Sequence, residues 1–290
     1  MAPEATAPNA PIATVGFVGL GRMGLPMARH VRAGGFAVAG FDVDDSALRQ
    51  AEALGVRRRA SCAEVAAGAD LVLVIVPDDD DVLAACCGPE GAIAAARPGS
   101  VIAVCSHARP ATVARVDAEA EAVGVGVLDV QLTKGVRGAE DATMTLLVGG
   151  RDADLERARP VFACFATALH HLGPVGSGQI AKAVNNLLLW AHLAAAAEAL
   201  EFGARHGLDA ARLRTALLDC SADSWVLREI ADIQPTWPAK DLRNALAMAA
   251  DVDHPMPIAE LVAKLIGRLD RATLDRILAS GKDQATGERP

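Results

Sequence analysis

Gly178, Lys182 and Asn186 recur at intervals of four in the run Gly-Ser-Gly-Gln-Ile-Ala-Lys-Ala-Val-Asn-Asn. On a helix that spacing stacks them along one face. The surrounding residues are mostly Ala and Leu, so an amine and an amide aimed the same way need a chemical reason. An amine can take a proton from a hydroxyl or return one to a carbonyl oxygen, provided burial or a nearby positive charge lowers its pKa from the usual ~10.4. Asn186, one turn later, can hold the amine or the reacting oxygen by a hydrogen bond, while Gly178 leaves room on the same face. A lone lysine of this kind is more simply a surface residue lying along a packed helix, so the rest of the chain must decide.

A glycine-rich turn near the start supplies the missing half of the chemistry. Gly19-Leu20-Gly21-Arg22-Met23-Gly24 follows an apolar run at residues 12–18 and opens a helical pattern reaching about residue 33. Asp42 closes the next apolar run, 18 residues after Gly24. In that context the spacing is a dinucleotide fingerprint. Gly19 allows the tight turn, Gly21 lets the backbone approach a pyrophosphate and Gly24 permits close helix packing, with Leu20, Arg22 and Met23 completing the loop. The helix N-terminus offers N–H groups to the phosphates. Asp42 accepts ribose hydroxyls and repels a 2′-phosphate, which favours NAD over NADP. The expected reaction therefore couples hydride transfer at a nicotinamide to proton transfer by Lys182.

The elements that carry these residues follow from pattern. Apolar strands are expected at residues 12–18, 37–41, 71–76, 101–105 and 125–130, with helices between them that include 46–54 and 111–123. Such alternation predicts a parallel sheet covered on both faces, a Rossmann-like doubly wound α/β domain over residues 12–173. Residues 177–206 contain no proline and read as one long helix, followed by helices near 210–218, 241–250 and 257–270. This predicts an all-helical C-terminal domain over residues 174–290, joined through the long interdomain helix, with the site in the cleft. Residues 1–11, rich in Ala and Pro, read as a disordered tail without the features of a signal peptide.

Composition narrows the rest. A net charge of −8 argues against a nucleic-acid groove or an anionic membrane surface, so an anionic small-molecule substrate must be met by local groups. The apolar runs fall short of the ~20 residues of a membrane span. Cys62, Cys86, Cys87, Cys105, Cys164 and Cys220 show no metal-site spacing and no disulfide framework, which places the chain in a reducing cytoplasm and predicts no metal.

The opening Val15-Gly16-Phe17-Val18-Gly19-Leu20-Gly21-Arg22-Met23-Gly24-Leu25-Pro26-Met27-Ala28 resembles that of the β-hydroxyacid dehydrogenase family. Residues 129–150, 176–186 and Lys240-Asp241-Leu242 resemble its substrate-binding stretch, catalytic helix and late Lys-Asp motif. The family includes 3-hydroxyisobutyrate dehydrogenase and the tartronate, glyoxylate and succinic semialdehyde reductases. The resemblance implies a helical domain of the 6-phosphogluconate dehydrogenase kind and Lys182 as general acid and base, with Asn186 beside it. It also implies Val76 and Pro77 as a turn bordering the cofactor, Ser106 at a strand end near the nicotinamide, and Lys240 reaching the cofactor.

Thr133-Lys134-Gly135 stands where the family usually has Ser-Gly-Gly holding the substrate carboxylate. Thr133 keeps a hydroxyl and Gly135 keeps flexibility. Lys134 either pairs with a second anionic or polar group of the substrate or points to solvent. His107 replaces a family Thr; it either donates to cofactor or substrate or is a satisfied loop residue. Trp237, three residues before Lys240, is a candidate wall of the substrate site.

Other features take plainer readings. Asp78 to Asp81 suit a helix N-terminus, Arg57-Arg58-Arg59 a solvated face or else a contact with an NADP phosphate, and His170-His171 no metal. Residues 187–199 are apolar nearly all round, which predicts a homodimer or homotetramer. Two rivals remain: an imine reductase of the same fold, which usually lacks Lys at the catalytic position, and a non-catalytic dinucleotide-binding module.

Overall fold

The computed structural model describes residues 11–281; apart from Pro11, the tail expected at 1–11 lies outside them, as do residues 282–290. The chain divides into two compact units, Met1–Lys182 and Ala183–Pro290. The division falls within the long helix, whose first turns pack with the first unit.

That unit is built on β1 (Thr14–Val18), β2 (Ala37–Phe41), β3 (Arg57–Arg58), β4 (Leu71–Val74), β5 (Val101–Val104), β6 (Gly126–Leu132), β7 (Met144–Gly150) and β8 (Ala166–Gly173). Between them run α1 (Gly24–Ala33), α2 (Asp45–Ala53), α3 (Cys62–Ala67), α4 (Asp79–Cys87), α5 (Ala92–Ala95), α6 (Pro110–Glu121), α7 (Gly135–Glu140) and α8 (Asp152–Phe162). Strand order is β3-β2-β1-β4-β5-β6-β7-β8. Every pairing is parallel except β6 with β7. The first six positions reproduce the doubly wound order, in which the ligand crevice opens beyond the carboxyl ends of β1 and β4, where the winding reverses.

Alternation along the strands builds a core on each face of the sheet. Val15 and Phe17 of β1, Leu71 and Leu73 of β4 and Leu128 and Val130 of β6 enter one core with Met27 and Val31 of α1 and Phe162 of α8. Val18, Val72, Val74, Ile102, Val104 and Val127 enter the other with Val65 of α3 and Val113 and Val116 of α6. Asp129 and Gln131 continue the Val127 face of β6, so two polar side chains lie within a strand buried throughout.

Helix starts follow the side-chain chemistry of caps. Asp44 accepts from Ser46 N at the start of α2, and Ser61 from Glu64 N at α3. Asp78 accepts from Asp81 N at α4, which accounts for the acid cluster there. Asp79 also holds Arg109 N and the Thr112 hydroxyl. Arg57-Arg58 forms the edge strand β3 with both residues exposed, and Arg58 pairs with Asp45 at 2.7 Å.

In the second unit, α9 (Ser177–Arg205) continues from the first and is followed by α10 (Ala210–Leu217), α11 (Trp225–Glu229), α12 (Pro238–Ala250), α13 (Pro257–Leu265), a 3₁₀ turn at Ile266–Arg268 and α14 (Arg271–Ala279). Trp190, Leu193, Ala197 and Leu200 of α9 form its core with Val226, Ile230, Leu242, Val262, Ile266, Leu274 and Ile277. By length and composition alone α9 could cross a membrane. Leu193 and Leu200 lie within this helical core, and 28% of its apolar window is buried. Asp241, buried at the start of α12, accepts a hydrogen bond from the Trp190 indole at 3.0 Å, so the acid of the Lys240-Asp241 pair anchors α12 to α9.

Candidate active site

The glycine turn lies at the carboxyl end of β1 and is fixed from both sides. Gly19 N donates to Phe41 O at 2.9 Å, while Ile75 N donates to Val18 O at 2.7 Å. Gly19 has φ +94°, and a Cβ there would overlap the Ile75 carbonyl oxygen. A Cβ at Gly24 would overlap the Gly19 carbonyl, so α1 starts in close contact with the turn. Beside Gly21, by contrast, a Cβ would meet nothing within 4 Å. The backbone is thus tight where the turn must hold its shape and open where a pyrophosphate would lie. Leu20 is buried beneath the loop, whereas Arg22 projects from it.

Asp42 follows β2, beside the glycine turn. One of its oxygens accepts from Leu20 N at 2.6 Å and the other from Asp44 N at 2.8 Å, so the acid braces the glycine loop while it faces a cleft of about 670 Å³. Phe41, Val43, Leu48, Arg59 and Glu64 line that cleft with it. Phe41 and Leu48 give that cleft an apolar floor, and Asp42, Asp45 and Glu64 with Arg58 and Arg59 give it a charged rim; the floor suits an adenosine, the open loop beside Gly21 suits the diphosphate, and Asp42 at the end of β2 fits NAD.

Val76 and Pro77 follow β4 and border the same edge of the sheet. Ser106, after β5, is buried, and its hydroxyl accepts from Val76 N at 2.8 Å, bracing the β4 turn against the β5 end. His107 follows, half-buried, and its Nδ1 donates to Gln179 Oε1 at 3.2 Å.

Lys182 reaches this edge from the second turn of α9. Its Nζ donates to Leu132 O at 2.6 Å. Leu132 ends β6, which runs parallel to β5 and β4, so the amine sits at the carboxyl edge where Gly19, Ile75 and Ser106 also lie. Asn186, one turn along α9, is buried and accepts from Asn185 Nδ2 at 3.0 Å. Gly178 does not face open space. A Cβ there would stand 2.8 Å from both the Asp129 and Leu147 carbonyl oxygens, so the glycine lets α9 start directly against β6 and β7.

Beyond β6 the chain departs from a simple anion cradle. Thr133 is buried, and its hydroxyl donates to Thr145 O of β7 at 2.9 Å. Lys134 caps α7 in the left-handed conformation, φ +68°, and Gly135 follows at φ +63°. A lysine in that region costs about 1–2 kcal/mol relative to ordinary backbone. Its Nζ donates to Thr143 O at 2.8 Å, and among the described residues its charge meets no carboxylate. In the helical unit Trp237 caps α12, half-exposed, and Lys240 lies in the first turn of that helix. His171 bonds Asp152 and Gly150 O, and among the described residues no cluster is suited to a metal.

Within the first unit lies a buried polar cluster that the sequence reading did not single out. Asp129, fully buried, accepts from Gln179 N at 2.9 Å and from Gln131 Nε2 at 3.1 Å. Gln179 donates to Ser106 O at 2.9 Å and accepts from Ala108 N at 3.0 Å. Burial pushes the Asp129 carboxyl up to about 6, against the opposing pull of the Gln179, Gln131, Gly176 and Gly178 donors. A carboxyl raised in the fold stabilises it most below the ordinary carboxylate range, and that contribution is lost as pH rises through about 6. The available signal was the alternation of Asp129 and Gln131 inside an otherwise apolar strand.

A doubly wound sheet with a sterically closed glycine turn, an acid after the second strand and an amine at its carboxyl edge is the frame of a dinucleotide-dependent oxidoreductase, and the relatives are dehydrogenases of that class. Residues 14–173 match the model of the NAD binding domain of 6-phosphogluconate dehydrogenase. Residues 176–277 match that of the NAD-binding of NADP-dependent 3-hydroxyisobutyrate dehydrogenase. The chain belongs to the β-hydroxyacid dehydrogenase family, which contains 3-hydroxyisobutyrate dehydrogenase. It is 33% identical to an NAD-dependent L-serine dehydrogenase of Pseudomonas aeruginosa, across 89% of this chain and 84% of that enzyme. Identity to a 3-hydroxyisobutyrate dehydrogenase of the same organism is 32%, across 87% and 90%. A Mycobacterium tuberculosis 3-hydroxyisobutyrate dehydrogenase solved with L-serine superposes with a TM-score of 0.83 at 30% identity, covering 92% of this chain and 99% of that one. A Streptomyces aurantiacus imine reductase shares the fold at 17% identity and a TM-score of 0.63.

Proposed function

We propose that the protein interconverts a β-hydroxyacid and its aldehyde or ketone with NAD, and that Lys182 moves the proton. The observation that carries this is the Lys182 amine at the carboxyl end of β6, on the same sheet edge as the glycine turn. Bound NAD supplies the acceptor for the hydride that leaves the substrate carbon. As a neutral amine Lys182 takes the hydroxyl proton; as an ammonium it returns a proton to the carbonyl oxygen. The bond to Leu132 O fixes where that amine stands, and Asn186 on the same helix orients the reacting oxygen. Thr133 and Gly135 hold the substrate carboxylate, the Thr133 hydroxyl by exchanging its bond to Thr145 O. Roles for Trp237 at the substrate, and for His107 and Lys240 at the cofactor, rest on their places in the family motifs.

The division of labour proposed is cofactor binding by residues 12–173, and substrate binding with self-association by residues 174–290. Val184, Leu188 and Phe202 of α9 are each more than half exposed, an apolar surface suited to a second copy of the chain. Light scattering at micromolar concentration is expected to give a dimer or tetramer; a monomer would contradict the assignment. Six free cysteines suit a reducing cytoplasm.

Steady-state assays with NAD and NADP test the reaction. L-serine, 3-hydroxyisobutyrate and 2-(hydroxymethyl)glutarate are the substrates, since relatives bear these names. Turnover with NAD is expected on at least one, and NADP is expected to be the poorer cofactor. Running Lys134→Gly in parallel reports on the second charge: a selective loss on the dicarboxylate places Lys134 on substrate, and an unchanged preference leaves it as a tether to Thr143. Tight NADH binding with no turnover across the panel would instead support a non-catalytic dinucleotide module.

A further inference from the structure

Three separate chain segments meet at Gln179. Its backbone N–H donates to Asp129 of β6, its side-chain amide to Ser106 O after β5, and its carbonyl oxygen accepts from Ala108 N and His107. Gln131 adds a second strut, donating both to Ser106 O at 3.1 Å and to Asp129. Lys182 lies three residues beyond Gln179, so these bonds set the axial position and rotation of the turn that presents the amine. Leu132, the acceptor of that amine, follows Gln131 directly.

The cluster is expensive to keep. Asp129, Gln131 and Gln179 are all at most 1% exposed, and Gln131 Oε1 is buried with no donor. An orphaned buried acceptor costs about 1–3 kcal/mol, and a buried carboxylate carries its own desolvation penalty. Apolar residues of similar shape would fill the same space at less cost. Polar groups retained against such a penalty point to a task other than holding the core together.

We propose that Asp129, Gln131 and Gln179 are positioning residues, which lock the first turns of α9 to the ends of β5 and β6 and so hold Lys182 and His107 in register with the cofactor edge. Asp129 caps the helix, Gln179 ties it to the β5 loop, and Gln131 ties that loop to β6. This rests on Lys182 being the proton-transfer group. Misplacing a reacting group by about 1 Å costs on the order of 10²-fold in rate, so loosening one strut is enough to show.

The test is a double-mutant cycle on the full chain. Gln179→Met keeps the volume and removes the bonds; Lys182→Met removes the amine. Gln179→Met is expected to lower kcat about 10- to 100-fold with the Kd for NADH within about twofold. The double variant is expected to be no slower than Lys182→Met, because a misplaced amine and an absent amine are not separate losses. Losses that multiply, or an unchanged kcat in Gln179→Met, would overturn the proposal. Gln131→Met covers the case in which Gln179→Met does not fold: kcat should fall about 10-fold or more whichever way Tm moves, since one orphaned acceptor is removed while Asp129 loses a donor. A fall in Tm with kcat intact would mark Gln131 as structural only and count against the proposal. If Lys182→Met itself keeps full activity, the proton-transfer assignment fails first, an outcome distinct from any result with the glutamines.

Discussion

Lys182→Met is expected to lower kcat by about 10²–10⁴-fold, the usual contribution of a positioned general acid or base. Methionine follows the path of the lysine stem, so the packing along α9 is kept and what is lost is the amine. Lys182 is half-buried and bonded to a main-chain carbonyl at the end of β6, so the chain around it is held by other contacts. The change in stability should therefore be small beside the change in rate. The glycine turn and Asp42 are untouched, and the Kd for NADH should stay within about twofold of wild type. A proton-transfer role makes a second demand: in Lys182→Ala, added small primary amines should restore part of the rate, with stronger bases more effective in the oxidative direction. Activity within about threefold of wild type in Lys182→Met would remove the assignment, leaving the geometry as that of a binding protein. A rate lost together with NADH binding would point instead to a collapsed loop, which the Kd measurement reveals directly.

The residues that shape the glycine turn were legible in the sequence, because glycine spacing and an acid at a strand end are local signals. Gly19, Gly24 and Asp42 stand where the turn needs them, and the long helix expected at 177–206 runs over Ser177–Arg205. What the sequence reading lacked depends on tertiary partners. β7 is apolar enough to be a strand, but its antiparallel direction is set by the short α7 connection and cannot be read from residue types. β8 is mostly half-exposed or exposed and carries His170 and His171, so it has neither the continuous apolar run nor the clean alternation of a strand signal. Lys134 adopts a positive φ that favours glycine, and only the Thr143 and α7 contacts reveal that.

The polar cluster marks a different limit. Asp129 and Gln131 announce themselves as two hydrophilic positions on one face of a buried strand, but nothing in β6 names Gln179 as their partner fifty and forty-eight residues away. Gln179 in turn lies between Gly178 and Lys182, where the eye follows the four-residue repeat and passes over it. Side chains that do chemistry carry recognisable types; those that hold them in place are recognisable only through what they bond. The same applies to Asp241, whose neighbour Lys240 attracts the functional reading while the acid anchors Trp190.

Gly19→Ala is expected to abolish measurable NADH binding and to lower Tm by roughly 10 °C. Two effects add. A side chain at φ +94° costs about 1–2 kcal/mol on backbone grounds alone. The new methyl group would also overlap the Ile75 carbonyl oxygen, and neither side can yield easily. Ile75 is held to β1 through Val18 O, and Gly19 is held to β2 through Phe41 O, so relief of the overlap means parting β4 from β1 or unpicking the turn from β2. A total near 3 kcal/mol corresponds to roughly 10 °C in a unit of this size, at ~2–4 °C per kcal/mol. Gly21→Ala is the control that separates fold from ligand. Its methyl group would meet no protein atom within 4 Å, so Tm should remain near wild type while NADH binding weakens by 10-fold or more, because the methyl group occupies the space the pyrophosphate needs. Normal binding in Gly21→Ala would show that the diphosphate does not cross this loop, and the cofactor assignment would then have to rest on the Asp42 cleft alone.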